Sequence, residues 1–316
     1  FVILDEVQFM KEWELQVKKF FDRKYPITFI VSGSSSTLIR RGTESLVGRT
    51  IERVISPFSF KEFFEFKTKK SSLVNTELDA KAVENQARIL FNEYLTRGGI
   101  PSTFELSEEK WVNTLKEDVI KVIYRDITQL HEIRQPEALE KLLLYIADNT
   151  GGITNINSVA NTIGTSREYA EKYVNYLKTA FLAFSIPIYS ENIAKRVRRG
   201  EKMYIADTGV ANAMLNKNTV DETRAGKLVE TIIASHLASQ GVKYYRNGFE
   251  IDFIAKNTAI EVKYQNSPSV QEIKKLKTMA DELGLEKKIM VTKNTLETTD
   301  GVELIPAWLF LLKEKN

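Results

Sequence analysis

Two short runs of alternating apolar and polar residues bring together side chains that could do chemistry. Residues 250–254 contain Asp252, and residues 260–263 contain Glu261 and Lys263. Alternation with a period of two predicts two β-strands on which these three side chains share one face, and the short connection between the runs suits a hairpin turn. Paired carboxylates hold Mg²⁺ and a neighbouring cation orients water or phosphate, so the pattern predicts a metal-dependent phosphodiesterase site.

A predicted helix precedes these strands. Residues 226–237 carry apolar side chains at helical spacing and include Glu230. Gly241 ends this pattern, and residues 242–245 are typical of a further strand. A helix with a glutamate, followed by two strands and a Glu-x-Lys strand, resembles the PD-(D/E)xK nuclease superfamily over residues 222–312.

The resemblance implies a role for each charged residue in a Mg²⁺-dependent DNA endonuclease. Glu230 would be the acid carried by the helix, Asp252 and Glu261 the metal ligands, and Lys263 the residue that positions water or phosphate. Two alternatives stay open. Exposed hairpins often carry Glu and Lys without any chemistry, and a nuclease fold can be retained for binding alone.

The beginning of the chain has a different pattern. The first six residues are four apolar residues followed by Asp5 and Glu6. A strand of this kind is buried on both faces of a parallel sheet and delivers its last residues to the carboxyl end. After an amphipathic helix, residues 27–34 form a second apolar run that ends in small polar residues, the last of which is Ser34.

Two further strings, at residues 46–49 and 57–63, complete a recognisable order. The order of the four strings resembles the archaeal-type P-loop ATPases of the AAA+ class. The strings are strand-Asp-Glu, strand-Ser-Gly-Ser-Ser, Leu-x-Gly-Arg and Pro-x-Ser-Phe-x-Glu-Phe. For Arg49 the alternative is a surface arginine paired with Glu44 or Glu52. The implied nucleotide-site residues are Asp5 for the magnesium ion, Glu6 for the attacking water, Ser34 at the sensor strand and Arg49 near the γ-phosphate.

The phosphate-binding loop of these ATPases, G-x-x-x-x-G-K-[ST], occurs nowhere in the 316 residues. In the family this loop precedes the Walker B strand, so the resemblance implies that it lies upstream of Phe1. ATP and Mg²⁺ are therefore expected as cofactors of the complete protein, which would hydrolyse ATP. This chain alone is expected to bind ATP weakly or not at all.

The middle of the chain is predicted to be mainly helical. Residues 77–100 predict a helix ended by a Gly-Gly pair, and residues 108–133 predict another. Strings in both helices resemble the helical lid of the same ATPases. From residue 136, three helices and two strand-like runs, 181–188 and 202–206, resemble a winged helix-turn-helix.

That resemblance implies DNA as a partner, contacted mainly through its phosphates. The basic loop, residues 195–202, holds five cations and one acid and would be the wing. Winged helices also serve as protein–protein or interdomain modules, so this alternative stays open. After the second strand-like run, Asp207 is predicted to cap the next helix. The implied DNA-binding residues are Arg167, Lys172 and Lys178 on the third helix and Lys195, Arg196, Arg198 and Arg199 in the loop.

The predicted fold class is a multidomain α/β and α+β chain. It combines a partial P-loop ATPase sheet at 1–76, a helical lid at 77–134, a winged-helix domain at 135–215 and a restriction-endonuclease-like domain at 216–316. The expected function is that of an AAA+ type ATPase coupled to DNA binding and a metal-dependent nuclease-like domain. The alternative is an ATP-dependent signalling or scaffold protein whose nuclease fold is inactive and used for binding.

The composition of the chain limits which kinds of site and which cellular location are expected. The chain has no cysteine and two histidines, which excludes disulfides and thiolate zinc sites. No apolar run reaches the length of a membrane span, so no membrane partner and a cytoplasmic location are expected. The net charge of +3 is too small to indicate nucleic-acid binding by itself. A homo-oligomer is compatible with these features.

Overall fold

The computed structural model describes residues 1–33, 46, 48–70, 76–131, 133, 135–190, 200–217 and 219–313. The predicted site residues Ser34, Lys195, Arg196, Arg198 and Arg199 lie outside these ranges. The strands are β1 Val2–Leu4, β2 Phe29–Val31, β3 Gly152–Ile153, β4 Ala183–Ile186, β5 Lys202–Ile205, β6 Lys243–Asn247, β7 Phe249–Ala255, β8 Thr258–Val262, β9 Lys287–Thr292, β10 Glu297–Thr299 and β11 Val302–Pro306.

The helices predicted over 77–100, 108–133 and 226–237 are present. The helix predicted over 108–133 begins at Glu108 and continues through a π-helical segment, Val122–Ile127, into a last turn, Thr128–His131. The helices are α1 Trp13–Asp22, α2 Phe60–Thr68, α3 Glu77–Arg97, α4 Glu108–Lys121, α5 Pro136–Asp148, α6 Ile156–Ile163, α7 Arg167–Thr179, α8 Thr208–Met214, α9 Glu222–Leu237, α10 Val270–Glu282 and α11 Ala307–Leu312.

The N-terminal unit, residues 1–50, contains a two-stranded parallel sheet. Strands β1 and β2 pair with Ile3 opposite Ile30, as two neighbouring strands of an α/β sheet would. Both isoleucines are exposed, whereas Val7, Trp13 and Leu46 form a small buried core of their own. The two apolar runs therefore pair in parallel, as in an α/β sheet. The predicted burial of the first strand on both faces is wrong, because Ile3 is 70% exposed.

A buried carboxylate joins the end of α3 to the start of α8. Asp207 caps α8, as predicted, by accepting a hydrogen bond from the Val210 amide at 3.0 Å. Its other oxygen accepts from the Gly99 amide at 2.7 Å. Gly98 has φ of +76°, and a Cβ there would collide with the Asp207 carboxylate, so this turn requires glycine.

The middle unit, residues 135–215, combines helices α5 to α8 with a small antiparallel sheet in its described part. The strand order is β3-β5-β4, with β5 in the centre. Side chains that accept amide hydrogen bonds define the starts of two helices: Asn155 caps α6 and Ser166 caps α7. The predicted Ser166 cap is confirmed.

The C-terminal unit, residues 216–316, is organised around a six-stranded mixed sheet of order β10-β11-β9-β8-β7-β6. Strands β6, β7 and β8 form antiparallel pairs, and β8, β9 and β11 are parallel. Residues of α10 pack on one face of this sheet in a core that includes Ile251 and Met290. Residues of α9 and α11 belong to a second core that includes Phe253 and Val291.

The second core is continuous through most of the chain. It extends from Phe60 in α2 to Leu312 in α11 and includes buried residues of the middle unit such as Leu139 and Leu177. The predicted lid, middle unit and C-terminal unit are thus packed together over one hydrophobic interior. No helix in the described part of the chain is both long and apolar enough to cross a bilayer.

Candidate functional site

Three elements bring acidic side chains to one place. Helix α9 supplies Glu230, strand β7 supplies Glu250 and Asp252, and strand β8 supplies Glu261; we call these four residues the acid cluster. The predicted hairpin turn between β7 and β8 is present, since Ala255 at the end of β7 pairs directly with the first residue of β8. The acids that the sequence predicted to converge therefore lie on adjoining elements.

The centre of the acid cluster is occupied by a lysine of the middle unit. Lys202, at the start of β5, is only 2% exposed. Its Nζ lies 2.7 Å from Glu250 Oε1, 2.8 Å from Asp252 Oδ1 and 3.0 Å from Glu230 Oε1. The Tyr204 hydroxyl, two residues further along β5, donates to the same Glu230 oxygen at 2.8 Å.

Asp252 also connects this lysine to the Glu-x-Lys strand. Its Oδ2 accepts from the Val262 amide at 2.9 Å, while its own amide donates to Glu261 Oε2 at 3.2 Å. Lys263 Nζ then lies 2.7 Å from Glu261 Oε1. Asp252, Glu261 and Lys263 are consequently neighbours, with Asp252 paired to Lys202 and Glu261 paired to Lys263.

Local backbone features fix this arrangement. The register between β6 and β7 shifts between Lys243 and Tyr245, so β7 carries one more residue there and bulges near Asp252. Bulges redirect side chains and are frequent near functional sites. On the opposite side, Gly151 has φ of +81°, and a Cβ there would lie 3.0 Å from Glu230 Oε1.

Burial and neighbouring charges shift the pKa values of the glutamates and of Lys202. Burial and the charge of Asp252 raise the pKa of Glu230 to about 7, and the same two causes raise the pKa of Glu261 to about 7. Burial alone would lower the pKa of the Lys202 ammonium, but Asp252, Glu230 and Glu250 reverse this and hold it above its usual value. Lys202 therefore stays charged.

These residues fit an ammonium ion better than Mg²⁺. Mg²⁺ requires oxygen ligands at about 2.0–2.1 Å in near-octahedral geometry, and a metal ion bound to the same oxygens would lie beside the like-charged Lys202 Nζ. Among the residues that the structure describes, no group of three or more His, Cys, Asp or Glu side chains is arranged to hold a metal ion.

Lys202 and Glu250 were not predicted as site residues. The sequence analysis placed Lys202 both at the end of the basic loop and at the start of the strand-like run 202–206. The strand is confirmed, whereas a solvated position in the loop is wrong, because Lys202 is a buried residue of β5. One signal was available: Lys202 and Tyr204 alternate at the start of a predicted strand and so share a face. The partners of Lys202 are 28 to 50 residues away in sequence, beyond any local pattern.

Two of the predicted nucleotide residues, Asp5 and Glu6, directly follow β1. The Ser32 hydroxyl donates to the Asp5 carboxylate, which also accepts from the Glu6 amide at 3.0 Å. Glu6 has φ of 52°, in the left-handed region that non-glycine residues rarely adopt. Arg49 Nη1 lies 3.0 Å from Asp22 Oδ1, while Glu44, one of its two predicted alternative partners, lies outside the described residues.

The cations predicted on α7 are each paired with an acid. Arg167 Nε lies 3.0 Å from Glu171, and Lys172 Nζ lies 2.7 Å from Glu168. Lys178 lies 3.1 Å from Glu201. These pairs lower the net positive charge that α7 presents and weaken its electrostatic attraction for a phosphate backbone.

Comparison with protein families supports one part of the predicted resemblance. Residues 1–64 match an AAA domain, which agrees with the Asp5–Glu6 strand and makes this part of the chain AAA-like, with ATP and Mg²⁺ as the cofactors that such domains use. Residues 88–221 match a domain of unknown function, DUF8612, and residues 225–310 match another, DUF4143. Neither description names a winged helix or a nuclease, so these two assignments and the domain boundaries stay predictions.

Relatives of this chain occur in both bacteria and archaea. An uncharacterized protein of Haemophilus influenzae is 26% identical over 324 residues, which cover 96% of this chain and 76% of the relative. An uncharacterized protein of Methanocaldococcus jannaschii is 25% identical, covering 98% of this chain and 74% of the relative. One from Mycobacterium tuberculosis is 25% identical over 68% of this chain and 44% of its own length. No solved structure matches the chain significantly.

Proposed function

We propose that this chain is part of an ATP-dependent signalling or scaffold protein, in which an AAA-type ATPase carries a winged helix and a nuclease-like sheet that serves binding instead of cleavage. The observation that carries this proposal is Lys202, whose ammonium takes the place among the acids that a catalytic metal ion would need.

Element order supports the two fold assignments. The middle unit runs helix, strand, helix, helix, strand, strand, with the last strand central in the sheet, which is the arrangement expected of a winged helix. The C-terminal unit runs from α9 into three antiparallel strands, and α10 then crosses over to a parallel strand. This is the order that a PD-(D/E)xK fold predicts.

Displacing Lys202 for a metal ion would be costly. A buried ammonium without its carboxylates loses both its Coulombic partners and its hydrogen bonds, and breaking such a pair typically costs about 3–5 kcal/mol. The free energy of metal binding would have to exceed that cost before a metal ion stabilised the site. The same acids therefore favour the internal cation over Mg²⁺.

A second candidate function is metal-dependent DNA cleavage, with DNA held by the winged helix. The adjacency of Asp252, Glu261 and Lys263 favours it, because a metal ligand pair and a phosphate-positioning cation are what such hydrolysis requires. This candidate requires that Lys202 be withdrawn from Asp252 in the active state.

Calorimetry with manganese separates the two functions. If the proposal is correct, titrating MnCl₂ into the chain gives no heat of binding, and the Asp252→Ala variant behaves like the wild type. Supercoiled DNA incubated with the chain and Mn²⁺ or Mg²⁺ should stay intact. Heat that disappears in Asp252→Ala, together with metal-dependent nicking, would establish the nuclease instead.

ATP binding provides a test of the AAA part. The chain contains no G-x-x-x-x-G-K-[ST] loop, whose amides and lysine supply much of the affinity for the β- and γ-phosphates. We expect a fluorescent ATP analogue to bind this chain with a dissociation constant well above the micromolar range. Low-micromolar binding by the 316 residues alone would contradict this expectation.

The basic loop tests the DNA-binding role that the winged helix implies. Replacing Arg196, Arg198 and Arg199 with Ala should weaken binding to all DNA sequences. It should also reduce the slope of log K against log salt concentration by about 0.9 for each DNA phosphate that these arginines neutralise. Fluorescence anisotropy between roughly 50 and 200 mM salt measures this slope, with Lys172→Ala as a control for the paired helix cations. An unchanged slope would assign the loop to a role other than DNA binding.

A further inference from the structure

The junction between the middle and C-terminal units is centred on one buried ion cluster. Lys202 belongs to β5 of the middle unit, whereas all three of its carboxylate partners, Glu230, Glu250 and Asp252, belong to the C-terminal unit. The lysine side chain therefore crosses from one unit into the other. Buried lysine is rare in proteins unless it is paired, and here the pairing is threefold.

Further polar contacts surround this lysine. The Thr150 and Thr231 hydroxyl groups hydrogen-bond at 2.8 Å, and Thr150 also accepts from the Ile205 amide of β5. The Tyr204 hydroxyl donates to Glu230 from the same face of β5 as Lys202. The bonds to Thr231 and Glu230 again join the middle unit to α9.

Main-chain pairing extends the junction to the edge of the six-stranded sheet. The Tyr244 amide of β6 donates to Pro187 O at 3.0 Å, and the Tyr189 amide donates to Tyr244 O at 2.5 Å. Ile188 and Tyr244 thus form a parallel bridge between the segment after β4 and the edge strand β6. The Tyr244 hydroxyl donates to Gly200 O just before β5.

The N-terminal unit is built differently. Its buried residues Val7, Trp13 and Leu46 form a separate small core. The middle and C-terminal units instead share one core, reinforced at the acid cluster by charges of opposite sign that each unit supplies. Separating these two units would leave the buried ammonium and its carboxylates without their partners, whereas no such buried ion cluster occurs among the described residues of the N-terminal unit.

We propose that Lys202 is an internal cation that locks the middle and C-terminal units into one rigid body. On this proposal the role of Glu230, Glu250 and Asp252 is to bind the Lys202 ammonium. Any movement that originates in the N-terminal unit then moves the middle and C-terminal units together. The proposal goes beyond the binding function proposed above and does not depend on what the sheet binds.

Distance measurements between the middle and C-terminal units test whether Lys202 holds them rigidly together. The chain has no cysteine, so spin labels can be placed at two introduced cysteines without further changes. Asn161→Cys on α6 and Lys274→Cys on α10 are exposed positions in the two units. Pulsed electron paramagnetic resonance should give a single narrow distance distribution, which Lys202→Met should broaden at least twofold. A control pair within the C-terminal unit, Lys274→Cys with Thr298→Cys, should stay narrow.

A milder variant guards against global unfolding of Lys202→Met. Glu250→Gln removes one partly exposed partner and should broaden the distribution between units to an intermediate extent, with an unchanged circular dichroism spectrum. Unchanged widths for both variants would overturn the proposal, as would equal broadening of the control pair. The measurement needs neither metal ion nor nucleic acid, so its failure would leave the manganese and cleavage tests of the proposed function unaffected.

Discussion

Replacing Lys202 with Met is expected to lower the free energy of unfolding by about 3–5 kcal/mol at pH 7, the usual cost of leaving buried charges without their partner. Methionine preserves most of the side-chain volume, so the effect reports on charge and hydrogen bonding. Urea denaturation followed by far-ultraviolet circular dichroism measures it. The exposed Lys172→Met variant, which also removes one ion-paired lysine, should change stability far less.

Neutralising the acids together with Lys202 provides a stricter test. In Lys202→Met with Glu230→Gln and Asp252→Asn, the two most buried carboxylates beside the lysine are neutral, so part of the stability should return. If the triple variant is less stable than Lys202→Met alone, unpaired carboxylate charge is not what destabilises the Lys202→Met variant. A Lys202→Met effect no larger than that of Lys172→Met would lead to the same conclusion.

Stability should fall as the pH rises from about 5 to 7.5. The pKa values of Glu230 and Glu261 are raised from 4.5 to about 7 in the folded state, so in this window the folded chain binds more protons than the unfolded chain. The free energy of unfolding therefore decreases with pH, because each glutamate must ionise while buried beside Asp252. At about 1.4 kcal/mol per pKa unit, each glutamate contributes on the order of 2 kcal/mol over this window.

The Glu261→Gln variant isolates one of these contributions. Glu261 faces Asp252 and Lys263, and Lys263 stays protonated throughout because its pKa is itself raised; burial opposes this, and Glu261 outweighs burial. Chemical denaturation at several pH values should give a shallower decline for Glu261→Gln than for the wild type. Parallel curves would show that Glu261 does not titrate in this range.

Local patterns accounted for most of the secondary structure. The hairpin of β7 and β8, the helix that carries Glu230 and the capped start of α7 all follow from periodicity and turn chemistry within roughly 15 residues. The convergence of Asp252 and Glu261 followed as well, because hairpin geometry fixes which residues of adjacent strands are neighbours. These are short-range relations that a single sequence contains.

The burial of Lys202 and the identity of its partners could not be obtained in this way. A lysine that follows Arg198, Arg199 and Glu201 in the sequence is indistinguishable from a solvated cation, since its burial depends on a strand pairing and a packing partner far along the chain. The π-helical segment Val122–Ile127 escaped prediction for a related reason, because its residues keep the apolar spacing of an ordinary helix.

The Asp207 hydrogen bond to Gly99 has a consequence for the order in which the protein is made. The ribosome must add 108 residues after Gly99 before Asp207, whose carboxylate fixes the end of α3, is part of the chain. Until then the Gly99 amide lacks its carboxylate partner, and loop closure over that length must come first. A nascent chain that stops before Asp207 is expected to contain α3 with a frayed end, so the helical lid becomes a finished structure only after the middle unit has emerged.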